Sequence, residues 1–174
     1  NQKNQENAHF ILKEEYSMTN NSDVIVSRAE TLYVQCKFQK CLELCEEVLK
    51  EDELNFATLP IYLASLHELR AKNKLYLISH KLAEHYPKKP ISWLAVGIYY
   101  LAINKIPEAR KYFSKASSLN PNFSEAWIGF AHTFAAEGEH DQAIAAYSTA
   151  SRFFPGSHLP NLFLGMQYLQ MGNL

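Results

Sequence analysis

The sequence predicts an all-α fold, a superhelix of stacked antiparallel helix pairs, and three observations predict it. A pattern returns after 34 residues: "KIPEARKYFSKASSLNP" (Lys105 to Pro121) and "EHDQAIAAYSTASRFFP" (Glu139 to Pro155) share five of seventeen letters, yet Ala, an aromatic, Ala and Pro keep their places. Such a fixed period marks an array in which each copy is one supersecondary unit that must bury its apolar face on its neighbours. Within each copy, large apolar residues recur at helical spacing in two stripes. The chain of 174 residues is 47% hydrophobic, enough for a sizeable core, and no apolar run approaches the roughly 18 residues that span a bilayer.

Taken in order, residues 1–21 form a polar lead. Its start, "NQKNQENAH", lacks the shape of a signal peptide, and "FILKEEYSM" has room for a short helix. The cytoplasm and nucleus follow as the default location. The first copy, 22–55, places Ile25, Ala29 and Leu32 on one helix and Cys41, Cys45 and Val48 on the next; Arg28 interrupts its stripe, and Glu53 stands where later copies close on Pro. The second, 56–89, has Leu59, Tyr62, Leu66, Leu82 and Pro87 in place, but Leu63 occupies a position that is small elsewhere. A one-residue shift onto Ala64, or a wider helix spacing, would accommodate it.

The copy 90–123 carries Trp93, Val96, Gly97 and Tyr100, then Ala109, Phe113, Ala116 and Pro121; the copy 124–157 repeats this with Trp127, Phe130, Ala131, Phe134, Ala143, Tyr147, Ala150 and Pro155. Gly97, Ala109, Ala131 and Ala143 are small so that paired helices can cross closely. Pro107 is expected at a first helical position and Asp141 as a cap, with Gly138 in the turn before it. In 158–174, Leu164, Gly165 and Tyr168 open a further copy, with Asn161 in place of Trp. It is expected to be truncated before its second helix, as a piece of a longer array.

These positions resemble the tetratricopeptide repeat, W-x2-L-G-x2-Y followed by A-x3-F and P. The resemblance implies a right-handed superhelix whose inner wall is lined by the first helix of each pair. Leu94, Ile98, Leu101, Ile128, His132, Leu159, Leu162 and Met166 are the partner-binding residues expected on that wall, beside Ile91, Glu125, Ala135 and Leu169. An apolar wall of this kind suits an extended or helical segment of another protein, the competing reading being that neighbouring repeats cover it. Chaperone-binding members of the family grip a carboxylate with inward Lys and Asn; Val26 and Glu30, Leu94 and Ile98, and Ile128 and His132 stand at those sites here, so no carboxylate clamp is expected.

Nothing in the sequence points to catalysis. Cys36, Cys41 and Cys45 lack a His at zinc-finger spacing, and His67, His80 and His85 lack a metalloprotease frame. No phosphate loop, nucleophile elbow or calcium loop is present. No metal and no cofactor are expected, and the three cysteines read as reduced thiols. The net charge of −1 gives no bulk reason to expect nucleic acid or membrane as partner. Charge is nevertheless uneven: residues 54–121 carry 10 basic and 3 acidic groups, flanked by net acidic stretches. Lys72, Lys74, Lys81, Lys88 and Lys89 read as a solvated face, for want of interleaved exposed aromatics.

Longer stretches, "NSDVIVSRAE" (Asn21 to Glu30), "ISHKLAEHYPKKPISWLAVGIYYL" (Ile78 to Leu101), "AWIGFAHTFAAEGEHDQAIAAYSTA" (Ala126 to Ala150) and "GSHLPNLFLGMQYL" (Gly156 to Leu169), resemble the subunit-six family of the anaphase-promoting complex. That resemblance implies a non-catalytic scaffold in a multisubunit cell-cycle ubiquitin ligase. Its partners would be other subunits of the ligase, including a small accessory subunit held in the superhelical groove, with a homodimer formed through N-terminal repeats. A tetratricopeptide module of another assembly, such as the regulatory arm of a glycosyltransferase or a trafficking adaptor, is the alternative.

Overall fold

In the computed structural model, which describes residues 22–156 and 159–172, the 34-residue period is written directly into the helix boundaries. Four helices begin at Phe38, Lys72, Ile106 and His140, each 34 residues after the last, and each is 14 residues long. In chain order the helices are α1 (Ser22–Val34), α2 (Phe38–Glu51), α3 (Thr58–Glu68), α4 (Lys72–His85), α5 (Pro90–Ala102), α6 (Ile106–Leu119), α7 (Ser124–Ala136), α8 (His140–Phe153) and α9 (Leu159–Gly172). Among the described residues there is no strand, so the all-α reading holds. The lead 1–21, with its expected short helix, lies outside the described residues.

The chain divides into two compact units, one ending at Leu69 and the other running from Arg70. In the first, α1 packs on α2 and α2 on α3. Ala29, Cys41 and Cys45 form its centre, wrapped by Leu32, Tyr33, Leu44, Ile61 and Tyr62. Leu63 is fully buried while Ala64 is only half-buried. The bulky residue therefore keeps the inward position, without the one-residue shift.

In the second unit each helix packs on its sequence neighbours, from α4 through α9, and α5 also touches α7. Ala109, Ala131 and Ala143 are wholly buried, and Gly97 lies among the buried residues of α5. The Phe113 ring explains the glycine: a β-carbon added at Gly97 would stand 2.6 Å from two of its ring carbons. Gly129 on α7 meets the same ring at 2.6 Å. One aromatic of α6 thus lies against bare backbone on α5 and on α7, which is how a third helix closes on the pair.

The turns repeat too. Cys36, Arg70, Asn104 and Gly138, again 34 apart, all have positive φ, from 54° to 75°. At three of them the helix ends in a Schellman closure. Lys37 N–H donates to Leu32 O and Cys36 N–H to Tyr33 O; Lys105 to Tyr100 and Asn104 to Leu101, and Glu139 to Phe134 and Gly138 to Ala135, follow the same scheme. A left-handed residue reverses the chain there, which explains why glycine or asparagine suits the site.

Junctions between pairs use a different lock. The indole Nε1–H of Trp93 donates to the carbonyl of Pro87 at 2.8 Å, and that of Trp127 to Pro121 at 3.0 Å. The paired Trp and Pro of the repeat are therefore bonded across these two junctions. Helix starts depart from expectation in one respect. Pro107 is the second residue of α6, and Asp141, although in the first turn of α8, makes no side-chain capping bond. Its carboxylate acts there only through favourable charge against the helix N-terminus.

Candidate interaction wall

The wall expected from the sequence lies on α5, α7 and α9, all in the second unit. Its residues do not share one fate. Leu94 and Ile128 are only 2% and 5% exposed, as is Ile91 at 2%. They are core, which corrects the expectation of an open face at these positions. The reason is packing from the next helices: Ile128 joins Ala131, Ala143 and Tyr147 in a cluster covered by Phe163 and Leu164 of α9, and α5 is contacted by α4, α6 and α7. Ile98, Leu101 and His132 are half-buried and retain accessible surface. Among the predicted wall residues of α9, the side chains of Leu159, Leu162, Met166 and Leu169 lie outside the described residues.

His132 is held by its neighbours. Its Nδ1 lies 2.5 Å from the Tyr147 hydroxyl, and its ring meets Phe163 edge-on with centroids 4.5 Å apart. Burial pushes the Tyr147 phenol above its ordinary range, so the hydroxyl stays protonated. The phenol and Nδ1 share one hydrogen in this contact, which joins α7 to α8. Further along, His140 Nδ1 lies 3.0 Å from the Gln167 carboxamide oxygen and so donates to it, tying α8 to the buried side of α9. These contacts set the seat of α9 beside the wall.

The α6–α7 contact adds a clamp that the sequence did not announce. Arg110 Nη2 donates to Glu137 Oε2 at 2.7 Å, its Nε donates to the hydroxyl of buried Thr133 at 3.1 Å, and its guanidinium carbon lies 4.4 Å from the Phe134 ring centroid. Only the pattern of Arg on one second helix and Thr, aromatic and Glu on the following first helix could have flagged it, and neighbouring copies lack that set.

The cysteines and histidines considered for chemistry are placed apart. Cys41 donates its thiol hydrogen to Ala29 O at 3.2 Å and accepts from Ser65 Oγ at 3.3 Å, while Cys36 is exposed in its turn. The hydrogen bond with Cys41, together with burial, pushes the Cys45 thiol well above its usual range. His67 faces Glu68 and His80 faces Glu84, each at 3.9 Å, whereas His85 Nδ1 bonds Lys81 O. Among the described residues no group of three or more His, Cys, Asp and Glu is arranged to hold a metal, and no described helix is long and apolar enough to cross a membrane.

Comparison with known proteins gives this geometry a lineage. A family model described as "Tetratricopeptide repeat" matches residues 100–174. The chain is 57% identical over 164 residues, 94% of its length, to the anaphase-promoting complex subunit CDC16 of Saccharomyces cerevisiae, of which it covers 20%. It is 57% identical over 153 residues, 88% of its length, to the anaphase-promoting complex subunit cut9 of Schizosaccharomyces pombe, of which it covers 23%. The chain thus spans about a fifth to a quarter of the length of these curated relatives. Among solved structures, the crystal structure of the Cut9–Hcn1 hetero-tetramer superposes with a TM-score of 0.78 at 56% identity, over 88% of this chain and 29% of that one. With helix pairs at 34-residue steps, small residues at the crossings and a Trp–Pro bond at two junctions, the chain has the tetratricopeptide-repeat fold.

Proposed function

We propose that this chain is a non-catalytic scaffold segment of an anaphase-promoting complex subunit, acting by holding other subunits of a cell-cycle ubiquitin ligase at fixed positions in the nucleus and cytoplasm. The observation that carries the reading is the 57% identity to CDC16, which extends over 94% of the chain. That extent favours it over a glycosyltransferase arm or a trafficking adaptor. Half-buried Ile98, Leu101 and His132 are the described part of the proposed contact surface, and Leu159, Leu162 and Met166 are proposed with them. Leu94 and Ile128 support that surface from beneath. A small accessory subunit in the groove and a homodimer of the full-length protein belong to the same proposal. The structure matched at 56% identity is itself a hetero-tetramer of Cut9 with Hcn1.

The test is a pull-down of sibling subunits by the full-length protein. Ile98→Glu and Leu101→Glu should weaken capture while leaving helical circular dichroism intact. Leu94→Glu should instead lower the melting temperature, because an unpaired charge would enter the core. Undiminished capture by the Ile98 and Leu101 variants would remove the wall from the proposal.

A further inference from the structure

The basic centre of the chain falls on α4 and its flanks. Across residues 70–89, Arg70, Lys72, Lys74, Lys81, Lys88 and Lys89 are all exposed, and Glu84 is the sole carboxylate. One reason to read these cations as plain solvated charge is a lack of exposed aromatics among them. The structure removes that reason. Tyr76 is 49% exposed and Leu77 is 66% exposed on the same helix, one helical turn from Lys72 and Lys81 respectively. Tyr76 is also pre-ordered: its ring stacks on His80 with centroids 5.9 Å apart and 10° between planes, and packs on Tyr99 of α5 at 5.5 Å. A ring fixed before binding loses little freedom when a partner arrives. Helix α4 contributes none of the residues of the proposed wall.

We propose that α4 is a second docking surface, taking an acidic segment of another protein that seats one aliphatic or aromatic side chain beside Tyr76 and Leu77. Charge complementarity selects the occupant: exposed Arg70, Lys72 and Lys88, in a stretch with one carboxylate, call for an anionic partner. A protein segment fits better than a nucleic acid on two counts. Within the same unit, residues 122–174 are net acidic, with 4 acidic groups and 1 basic, which repels a long polyanion but not a short peptide. Leu77, the more exposed anchor, also offers no flat ring on which a base could stack.

A random peptide display library selected on the chain tests this. Enriched peptides should carry net negative charge and a Leu or Phe, and a fluorescein-labelled consensus peptide should bind in an anisotropy titration. Leu77→Ser should weaken that binding by about tenfold or more, from lost apolar burial, without shifting the melting temperature. Lys72→Glu with Lys88→Glu should weaken it and flatten its salt dependence. Ile98→Glu should leave it unchanged, which separates this surface from the wall. Enrichment of neutral or basic peptides, equal binding by Leu77→Ser, or tighter binding of an oligouridylate than of the peptide would overturn the proposal.

Discussion

A single methyl group suffices to test the close crossings. Gly97→Ala or Gly129→Ala drives a carbon to 2.6 Å from Phe113, a ring with no exposed surface into which to retreat. Each is expected to cost about 1–3 kcal/mol, as overpacking does, and to lower the urea midpoint. Gly165→Ala is the control: a β-carbon there meets nothing within 4 Å, so the change should stabilise by up to ~1 kcal/mol through helix propensity alone. A destabilised Gly165 variant would contradict the packing described. The turns offer the reverse experiment. Cys36 holds φ at 57° where Gly138 does so at 75°, and Cys36→Gly should gain about 1 kcal/mol in thermal unfolding by relieving the left-handed strain. Gly97 was readable because the period repeats its smallness at Ala131. Gly129 was not, since Ala95 and Phe163 stand 34 residues to either side of it and no common letter marks the site.

Helices were the most readable level, because amphipathic spacing and the 34-residue step each constrain them independently. What periodicity reports is that a residue faces a neighbour, and not whether a second neighbour then covers it. Leu94 and Ile128 sit at wall positions by count, yet both are buried, Ile128 beneath Phe163 and Leu164 of α9. The Arg110 clamp escaped notice for a similar reason, since its partners lie 23 to 27 residues away on the next helix. With the side chains of Arg110 and Glu137 31% and 34% exposed, solvent screening holds the ion pair itself to roughly 1 kcal/mol or less. A double-mutant cycle of Arg110→Ala and Glu137→Ala should return a coupling of that size. Arg110→Ala alone should cost more, because the Thr133 bond and the stacking on Phe134 go with it. A cycle with zero coupling would reduce Arg110 to a packing residue.

Across the molecule as a whole, stability should fail early in alkali. Tyr33 and Tyr147 both have phenols raised above the ordinary value of about 10, burial being the largest cause in each. The folded chain therefore keeps protons that the unfolded chain releases, so this stability is complete below pH ~10 and declines as pH rises past it. Melting temperatures measured through that range should fall, and Tyr147→Phe should flatten the decline; an unchanged slope would show that the phenol does not stay protonated. The repeat fold and the likeness behind the proposed scaffold role were readable because stretches such as "AEGEHDQAIAAY" preserve letters that hairpin packing alone does not demand. The indole bonds of Trp93 and Trp127 carry a further implication for such a role. Each closes within six positions, so part of the angle at a joint is set by its own short stretch of chain, beside longer-range contacts such as Phe113 on Gly129 and Arg110 on Glu137. A ruler whose joints each carry a local stop can gain or lose a segment with less disturbance to the others.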